Sequence, residues 1–453
     1  MIDRILIDDL GFTTTTHDRC IYTKQIDGKT ILMLRQVDDF MLGCTDERIA
    51  RNIYDIIGTK IRFKTEEEDD IIPFEWLGIV ADYNGVDIKQ TDIYIEMNCA
   101  GYINRLLKTH GWDTESSTSK SSIPSSGPIS DPSPSLDPSP NPSPVPSCDP
   151  SPEPVPEPSL FQDCMKSSKP IAPIPADSIE QLFKDVGPLE NTAAHKALES
   201  TRGFSYRTLL GELMYVYITC RPDIGYAITS LSKFSSAPSP FHYKLIKGVA
   251  KYLRTTMHWG IRYKRPKRLP HLPAGEPYSE LQDDPKQPFP VDINLPLLQC
   301  FVDAAHGNDL RKRRSTTGLV FTYCGGAVLY RSKTQTLTAG SSTESEFIAA
   351  VTAAKLARYL RTVLKQLGFP QTKPTVIFID NLSALKIIND NTSPTDRTRH
   401  MDLRFFAIQD WREAGDIIMS HIAGILNPSD DLTKPLGWVL HSRHCRRIMG
   451  HYG

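Results

Sequence analysis

The stretch Val376-Ile377-Phe378-Ile379-Asp380 is a short apolar run that ends on an acid. Such a run is typical of a strand that is buried on both faces of a parallel sheet. A second apolar run, Leu298–Ala304, is interpreted as a strand that ends on Asp303. Because the carboxyl ends of parallel strands meet at one edge of an α/β sheet, we expect the two aspartates to lie together.

The residues between these runs predict a hairpin and a long helix. Gly318–Cys324 and Ala327–Ser332 are interpreted as strands, and Gly325-Gly326 between them is a strong turn signal because both positions accept positive φ. A helix with one apolar face is predicted from about Thr343 to Leu367, with Glu346 in its first turn. The remaining predicted elements are a helix at Leu382–Asn389 and a strand at Ile417–Ile422. The C-terminal part is thus predicted to be a mixed sheet with helices, in a chain of the α/β and α+β classes.

Three acids therefore stand at predicted element ends, namely Asp303, Glu346 and Asp380. Taken singly, each is better explained as a helix cap or a solvated strand end, and Glu346 also complements the helix dipole. Taken together they repel one another, which favours a bound cation between them. Oxygen ligands without Cys or His suit Mg²⁺ or Mn²⁺, and two such ions about 4 Å apart can support phosphodiester cleavage.

Six short motifs occur in this part of the chain: Phe301–Ala304, Arg313–Gly318, Ser341–Phe347, Ile379–Ala384, Thr398–Arg404 and Asn427–Pro435. In this order they resemble the ribonuclease H domain of copia-type LTR retrotransposons, and an ordered set is far more specific than a lone motif. The resemblance implies two Mg²⁺ or Mn²⁺ ions and cleavage of the RNA strand of RNA–DNA hybrids. It places the catalytic, metal-binding carboxylates on Asp303, Glu346, Asp380 and Asp430.

Two points of this resemblance stay open. Asp430 follows Asn-Pro-Ser as the family's fourth acid does, but Asp431 beside it is an alternative. Some ribonucleases H also carry a catalytic histidine in a flexible loop before the last aspartate. Here His421 is predicted on a strand, and the loop Gly424–Pro428 contains no histidine.

Basic residues near these motifs are candidate nucleic-acid contacts: Arg311, Lys312, Arg313, Arg314, Arg399 and His400. Contact with the phosphates of a hybrid recognised by its shape is one interpretation, and a solvated turn is the other. The acidic motifs beside them favour the first.

In the N-terminal half, Val37-Asp38-Asp39 lies between two apolar runs. An Asp pair in a turn is by itself mostly a good turn. With the surrounding motifs Cys20–Tyr22, Leu77–Ile79, Tyr206–Tyr215 and Thr219–Ala227, however, it resembles the C-terminal palm and thumb of the copia-type reverse transcriptase. The resemblance makes Asp38 and Asp39 candidate metal ligands.

This half departs from the family in two ways. Gln36 stands where the family usually has an aromatic residue, and too few residues precede Asp38 to include the upstream third aspartate. We therefore expect that this polypeptide alone, a reverse transcriptase by family but an incomplete one, does not polymerise DNA.

The 35 prolines among 453 residues cluster in two segments that cannot pack as helix or sheet. They divide the chain into a truncated palm (1–112), a disordered Pro/Ser-rich linker (113–190), a helical thumb or connection (191–264), a Pro-rich connector (265–297) and a ribonuclease H-like domain (298–453). The Asp-Pro-Ser-Pro repeats of the linker are compatible with a docking site, although a mobile spacer explains them more simply.

The net charge of −1 gives no general argument for nucleic-acid binding, and the nine scattered cysteines without metal spacing fit a reducing compartment. No signal peptide and no apolar run of roughly 20 residues is visible. We expect an intracellular protein, cytoplasmic in virus-like particles and nuclear, without membrane contact. The expected partners are an RNA–DNA hybrid and retrotransposon RNA and cDNA, with protease and integrase parts absent. The alternative is an inactive relic that at most binds nucleic acid.

Overall fold

The computed structural model describes residues 2–37, 39–60, 75–113, 172–265, 296–389 and 402–451, with the backbone alone for 63–64, 71–72 and 402–405. Asp38, Arg399 and His400 lie outside these residues, as do 114–171 of the linker and 266–295 of the connector. None of the described helices combines the length and the apolar character that a membrane crossing requires.

The N-terminal sheet is an antiparallel meander with the strand order β1-β2-β3-β4. Its strands are β1 (Thr13–Thr14), β2 (Ile21–Ile26), β3 (Lys29–Gln36) and β4 (Asp39–Gly43). The sheet follows α1 (Ile2–Arg4) and a π-helical turn at Ile5–Asp9, and it precedes α2 (Glu47–Lys60). Ile53 and Ile57 of α2 pack in one core with Tyr22 and Ile31 of the sheet. Apolar runs around Asp27-Gly28 and around Val37 predict two hairpins, and the spacing of Ile49, Ile53 and Ile56 predicts a helix from about Glu47; these predictions are confirmed.

A second antiparallel sheet joins distant parts of the chain. The strands β5 (Phe63–Lys64) and β6 (Ile71–Ile72) pair only with each other and precede this sheet in the chain. The sheet itself contains β7 (Asp82–Tyr83), β8 (Val86–Gln90), β9 (Tyr94–Asn98) and, much later in the chain, β10 (Gly260–Lys264). Its spatial order is β10-β9-β8-β7. The apolar residues of Phe74–Val80 predict a short strand, but this prediction is wrong for residues 75–80, which form no strand. The helical pattern predicted as far as Tyr263 is wrong at its end, because β10 forms by pairing with the distant β9.

Helices fill the space between this sheet and the C-terminal one. They are α3 (Ala100–Thr109), α4 (Ile179–Lys184), α5 (Ala193–Arg202), α6 (Tyr206–Thr219), α7 (Gly225–Ser232) and α8 (Pro240–Thr255), with 3₁₀ turns at Ala176–Ser178 and Pro222–Ile224. The spacing of Leu209, Leu213 and Val216 and that of Leu245 and Val249 predict two helices with one apolar face each. This prediction is confirmed, since Leu209, Leu213 and Val216 of α6 and Val249 of α8 are fully buried.

The C-terminal sheet has five strands in the order β13-β12-β11-β14-β15. They are β11 (Gln299–Asp309), β12 (Arg314–Tyr323), β13 (Gly326–Thr334), β14 (Thr375–Ile379) and β15 (Ile417–His421). The first three pair antiparallel, whereas β14 pairs parallel with both β11 and β15. The helices here are α9 (Ser342–Gln366), α10 (Leu382–Asn389), α11 (Asp402–Glu413) and α12 (Trp438–Ile448), with 3₁₀ turns at Gly424–Leu426 and Pro428–Leu432. The predicted mixed sheet with helices is confirmed.

The loop of the β12–β13 hairpin differs by one residue from the prediction. Cys324 and Gly325 take positive φ, at 51° and 84°, whereas Gly326 is already paired with Tyr323. Gly326 is required for another reason, because a Cβ there would lie 2.5 Å from the carbonyl oxygen of Arg262 in β10. The pair Gly325-Gly326 therefore combines a turn residue and a close strand contact.

Both faces of the C-terminal sheet carry buried side chains at its central strands β11, β12 and β14, since successive residues of a strand point to opposite faces. Val302 of β11 belongs to the core formed with α9, whereas its neighbour Phe301 belongs to the core that contains α6, α7, α8 and α12. The residues predicted as a connection, 191–264, thus cover one face of the sheet. The domain boundaries and the palm and thumb assignments stay predictions.

Candidate metal centre

Asp303 and Asp380 lie next to each other at one edge of the parallel strand pair. The pairing of β11 with β14 ends at Phe301 and Phe378, so both aspartates follow the last parallel pair by two residues. The prediction that Asp303 ends its strand is wrong. β11 continues to Asp309 because the antiparallel partner β12 extends the ladder, with Asp303 opposite Gly318. The expected proximity of the two aspartates is nevertheless observed.

Asp430 completes a cluster with these two aspartates. One carboxylate oxygen from each of Asp303, Asp380 and Asp430 lies within 4.8 Å of the others. Asp303 and Asp430 are buried, at 4% and 6% exposure, and Asp380 is half-buried. Four separate elements thus supply the predicted acids, since Glu346 reaches the same place from the first turns of α9 and is 5% exposed.

The cluster strongly disfavours four negative charges. Burial, together with the charges of Asp303 and Asp380 and a hydrogen bond to Asp303, raises the pKa of Glu346 to about 10. Burial and the charge of Asp303 raise the pKa of Asp430 to about 7, although Lys434 opposes this shift. The same two causes raise the pKa of Asp380. A divalent cation would relieve this repulsion, because it favours the ionised form of every carboxyl around it.

The donor set fits Mg²⁺ or Mn²⁺. Its four members offer only carboxylate oxygens, which are the ligands that these hard cations prefer. Oε2 of Glu346 is buried and has no hydrogen-bond partner among the residues that the structure describes. A buried, unpaired carboxylate oxygen beside three aspartates is well suited to complete the coordination of an ion.

The 3₁₀ turn Pro428–Leu432 separates Asp430 from Asp431. Asn427, at the start of this turn, donates from Nδ2 to the carbonyl oxygen of Val302 at 3.0 Å and so ties the turn to β11. Asp430 then faces Asp303, whereas Asp431 accepts a hydrogen bond from His441 Nδ1 at 2.6 Å. The geometry therefore groups Asp430, and not Asp431, with the other three acids.

Thr433 and Lys434, which follow this turn directly, contact the acidic cluster, and the sequence alone did not predict these contacts. The hydroxyl of Thr433 donates to Asp303 Oδ2, and Nζ of Lys434 lies 2.9 Å from Asp430 Oδ1. Burial opposes the charge of Lys434, but Asp303 and Asp430 outweigh it and raise the pKa of the ammonium group. The spacing of four residues between Asp430 and Lys434 was the available signal, although such a pair is common on ordinary surfaces.

His421 lies on β15, as predicted; it is the last residue of this strand and is exposed. It pairs in register with Ile379, the residue before Asp380, and its charge lowers the pKa of that aspartate. Gly424 follows closely, and a Cβ at this position would meet Asp380 Oδ2 at 3.2 Å. The loop Gly424–Pro428 thus passes beside the cluster without a histidine.

The predicted basic run forms the turn between β11 and β12. Arg311, Lys312 and Arg313 are exposed, and Arg314 is half-buried. Asp309 organises the turn, since its carbonyl oxygen accepts from the backbone N–H groups of Lys312 and Arg313 at 3.2 and 2.6 Å. The guanidinium of Arg311 lies 5.3 Å from the centre of the Phe234 ring. Nucleic-acid contact by this turn stays a prediction.

Asp39 begins β4 at the tip of the β3–β4 hairpin and is exposed. It pairs across the turn with Gln36, whose side chain accepts a hydrogen bond from Asn84. Since Asp38 lies outside the described residues, the paired metal site predicted at this tip stays a prediction.

The chain is similar to Pol polyproteins along most of its length. It is 30% identical over 270 residues to the retrovirus-related Pol polyprotein from transposon TNT 1-94 of Nicotiana tabacum, which covers 60% of this chain. It is 22% identical over 439 residues, 97% of this chain, to the Pol polyprotein from transposon RE1 of Arabidopsis thaliana. The chain is thus similar to the retrovirus-related Pol polyproteins of plant transposons.

This similarity confirms the resemblance to a transposon Pol polyprotein that the motifs predict. The chain spans 18% of the tobacco Pol polyprotein and 23% of the Arabidopsis one. It is also 33% identical over 155 residues to secreted RxLR effector protein 161 of Plasmopara viticola, covering 34% of this chain and 90% of that protein. No protein-family model matches the chain. Among solved structures, LC11-RNase H1 isolated from compost is similar to part of the chain. The two are 14% identical in sequence, and the match covers 31% of this chain and 94% of the LC11-RNase H1 chain, with a TM-score of 0.25.

Proposed function

We propose that the acidic cluster of this Pol chain is a ribonuclease H site, which hydrolyses the RNA strand of RNA–DNA hybrids with two Mg²⁺ or Mn²⁺ ions. The observation that carries the proposal is the convergence of Asp303, Glu346, Asp380 and Asp430 from four separate elements into one buried cluster. Acidic residues that served only as solvated surface groups would be exposed and far apart, as most carboxylates are.

Asp303, Asp380, Asp430 and Glu346 would hold the ions. When bound, such ions activate a water and stabilise the leaving oxygen of a phosphodiester. The protein's own contribution is rigid placement of the acids, because Asp303 is fixed within a sheet and by Thr433. Lys434 holds Asp430 in place and keeps part of the cluster neutralised.

The proposed substrate is a hybrid formed from retrotransposon RNA and cDNA, recognised through its phosphates. The turn Arg311–Arg314 supports this proposal, since the cationic side chains of Arg311, Lys312 and Arg313 are exposed and could contact a phosphate backbone. Recognition through phosphates and helix shape needs no contact with base edges. Arg399 and His400 are proposed as further contacts on the basis of the sequence alone.

The test is cleavage of a labelled RNA–DNA hybrid by the full chain in Mg²⁺. We expect cutting by the parent, none by Asp380→Asn, and unchanged cutting by Asp410→Asn. This control makes the same chemical change at an exposed acid of α11, outside the cluster. A folded parent chain that leaves the hybrid intact in both Mg²⁺ and Mn²⁺ would refute the proposal and favour an inactive relic.

A further inference from the structure

A fully buried polar network lies behind the turn that carries Asp430. At one end, the Arg221 guanidinium donates to both carboxylate oxygens of Asp223, from Nε at 2.9 Å and from Nη2 at 2.6 Å. The hydroxyl of Tyr252 donates to Asp223 Oδ2 at 2.6 Å and lies 3.0 Å from His441 Nε2. His441 Nδ1 lies 2.6 Å from Asp431 Oδ1, the residue beside Asp430.

The charges of this network balance within the protein interior. Since Tyr252 donates its proton to Asp223, its oxygen accepts from His441 Nε2, and an ionised Asp431 accepts from Nδ1, so that both ring nitrogens carry protons. Burial raises the pKa of Asp431, and the charge of His441 opposes this shift. Burial opposes the charge of His441, but Asp431 outweighs it and raises the histidine pKa. Arg221 and His441 thus face Asp223 and Asp431, and every member is at most 4% exposed. Buried charges are costly unless each is paired and hydrogen-bonded, so this geometry leaves little freedom to its members.

Asp431, His441 and Cys445 also lie close enough together to suggest a second metal site. The hydrogen bonds argue against that interpretation. Both ring nitrogens of His441 are engaged, one with Asp431 and one with Tyr252, and a protonated nitrogen has no free electron pair for a metal. The group is therefore a hydrogen-bond network and not a set of ligands that point to a common centre.

The network connects the helical residues to the acidic cluster through one short turn. Arg221 and Asp223 lie at the turn Pro222–Ile224, Tyr252 lies on α8 and His441 lies on α12. Asp430 and Asp431 are adjacent in Pro428–Leu432. The side chain of Asp430 contacts Lys434, whereas that of Asp431 contacts His441. Because a single-turn element is too short to move one of these residues alone, the position of Asp431 determines the position of Asp430.

We propose that the network Arg221–Asp223–Tyr252–His441–Asp431 positions Asp430 for metal binding. The inference rests on the proposed ribonuclease H site and makes the helical segment 206–255 a part of it. Tyr252 and His441 are positioning residues, since they act on the cluster through Asp431. Loss of a partner that is hydrogen-bonded to a metal ligand typically weakens metal affinity by about 10–100-fold, so we expect the lower end of this range for residues that act through Asp431.

The test compares Tyr252→Phe with the parent in the full chain. The substitution retains the buried ring and removes the hydroxyl that joins Asp223 to His441. We expect Mn²⁺ binding, followed by electron paramagnetic resonance, to weaken by about tenfold. The Mg²⁺ concentration for half-maximal hybrid cleavage should rise in parallel, and excess Mg²⁺ should restore most of the rate. Tyr243→Phe, another buried tyrosine of α8 outside the network, should bind Mn²⁺ as the parent does.

Three outcomes separate the two proposals. If Tyr252→Phe binds Mn²⁺ like the parent while Asp380→Asn does not bind it, the positioning role is wrong and the proposed site stands. If the parent has no Mn²⁺ binding that depends on Asp380, both proposals fail. If Tyr252→Phe does not fold, Asp431→Asn is measured in its place; unchanged Mn²⁺ affinity in this folded variant would overturn the positioning role.

Discussion

At the scale of single residues, the acidic cluster determines how proton binding affects the stability of the metal-free protein. The pKa of Asp430 rises from its ordinary value of 3.8 to about 7, and that of Glu346 from 4.5 to about 10. Each carboxyl is therefore protonated in the folded chain at a pH where it is ionised in the unfolded chain. The resulting stabilisation is complete below the unfolded pKa and is lost as the pH rises through the folded pKa.

We predict that the free energy of unfolding in EDTA falls as the pH rises from about 4 towards 7, in part because of Asp430. Asp430→Asn removes this titration, so its stability should fall less steeply over the same range. Urea denaturation at several pH values measures the slope, and Asp410→Asn serves as the control. Equal slopes for the parent and Asp430→Asn would contradict the prediction. Saturating Mg²⁺ should flatten the dependence, because it keeps the carboxyls ionised.

The sequence motifs named the four acids and favoured Asp430 over Asp431 by its place after Asn-Pro-Ser, but they left Asp431 as an alternative and did not identify Lys434 as a neighbour. The two aspartates are adjacent and chemically identical. Which of them faces the cluster depends on how the 3₁₀ turn Pro428–Leu432 sits on β11 and β12. That orientation is set by contacts between segments more than a hundred residues apart, which local sequence patterns do not encode.

At the scale of elements, Gly318 of β12 allows the 3₁₀ turn Pro428–Leu432, which carries Asp430, to approach the sheet. A Cβ on Gly318 would lie 2.6 Å from the carbonyl oxygen of Ser429 and 2.6 Å from Thr433 Cγ2. The first of these is a backbone atom and cannot rotate away, so the turn would have to shift. Because Gly318 is also paired with Asp303, such a shift would separate Asp430 from Asp303.

We predict that Gly318→Ala lowers the free energy of unfolding by about 1–3 kcal/mol, the usual cost of overpacking. It should also weaken Mn²⁺ binding, since the turn moves away from β11. Gly211→Ala is the matched control, because no atom lies within 4 Å of the added Cβ and the residue is within α6. Alanine there should stabilise the helix by roughly 0.5–1 kcal/mol. Wild-type stability and Mn²⁺ affinity in Gly318→Ala would show that the turn does not depend on this contact.

Helices and strands whose residues show a clear apolar pattern were predictable from the sequence. Strands that form only by pairing with a distant part of the chain were not. The long helix α9 and the buried strand β14 follow directly from their apolar patterns. In contrast, β10 depends on β9, more than a hundred residues earlier in the chain. The requirement for Gly326 has the same origin, since its close neighbour Arg262 belongs to β10.

At the scale of the whole molecule, one apolar core joins the helices to the C-terminal sheet. Phe301, Val320 and Phe378 of the sheet share this core with Leu213 of α6 and Leu253 of α8. The sequence suggested a boundary near residue 298, because a Pro-rich connector precedes the apolar run of β11. A connector between two segments in the sequence does not prevent them from packing together, and here they bury a common surface.

We therefore predict that residues 298–453 alone are much less stable than residues 75–453, which retain α3, β9, β10 and the helices. Loss of burial costs roughly 1.5–3 kcal/mol for each large apolar side chain, and the Phe301 face of the sheet exposes several of them. The shorter fragment also lacks Tyr252 and Asp223, so it should bind Mn²⁺ weakly even where it is folded. Urea denaturation and Mn²⁺ titration of both fragments measure these differences. Equal midpoints and equal affinities would show that the C-terminal sheet is stable and its metal centre complete without the helices.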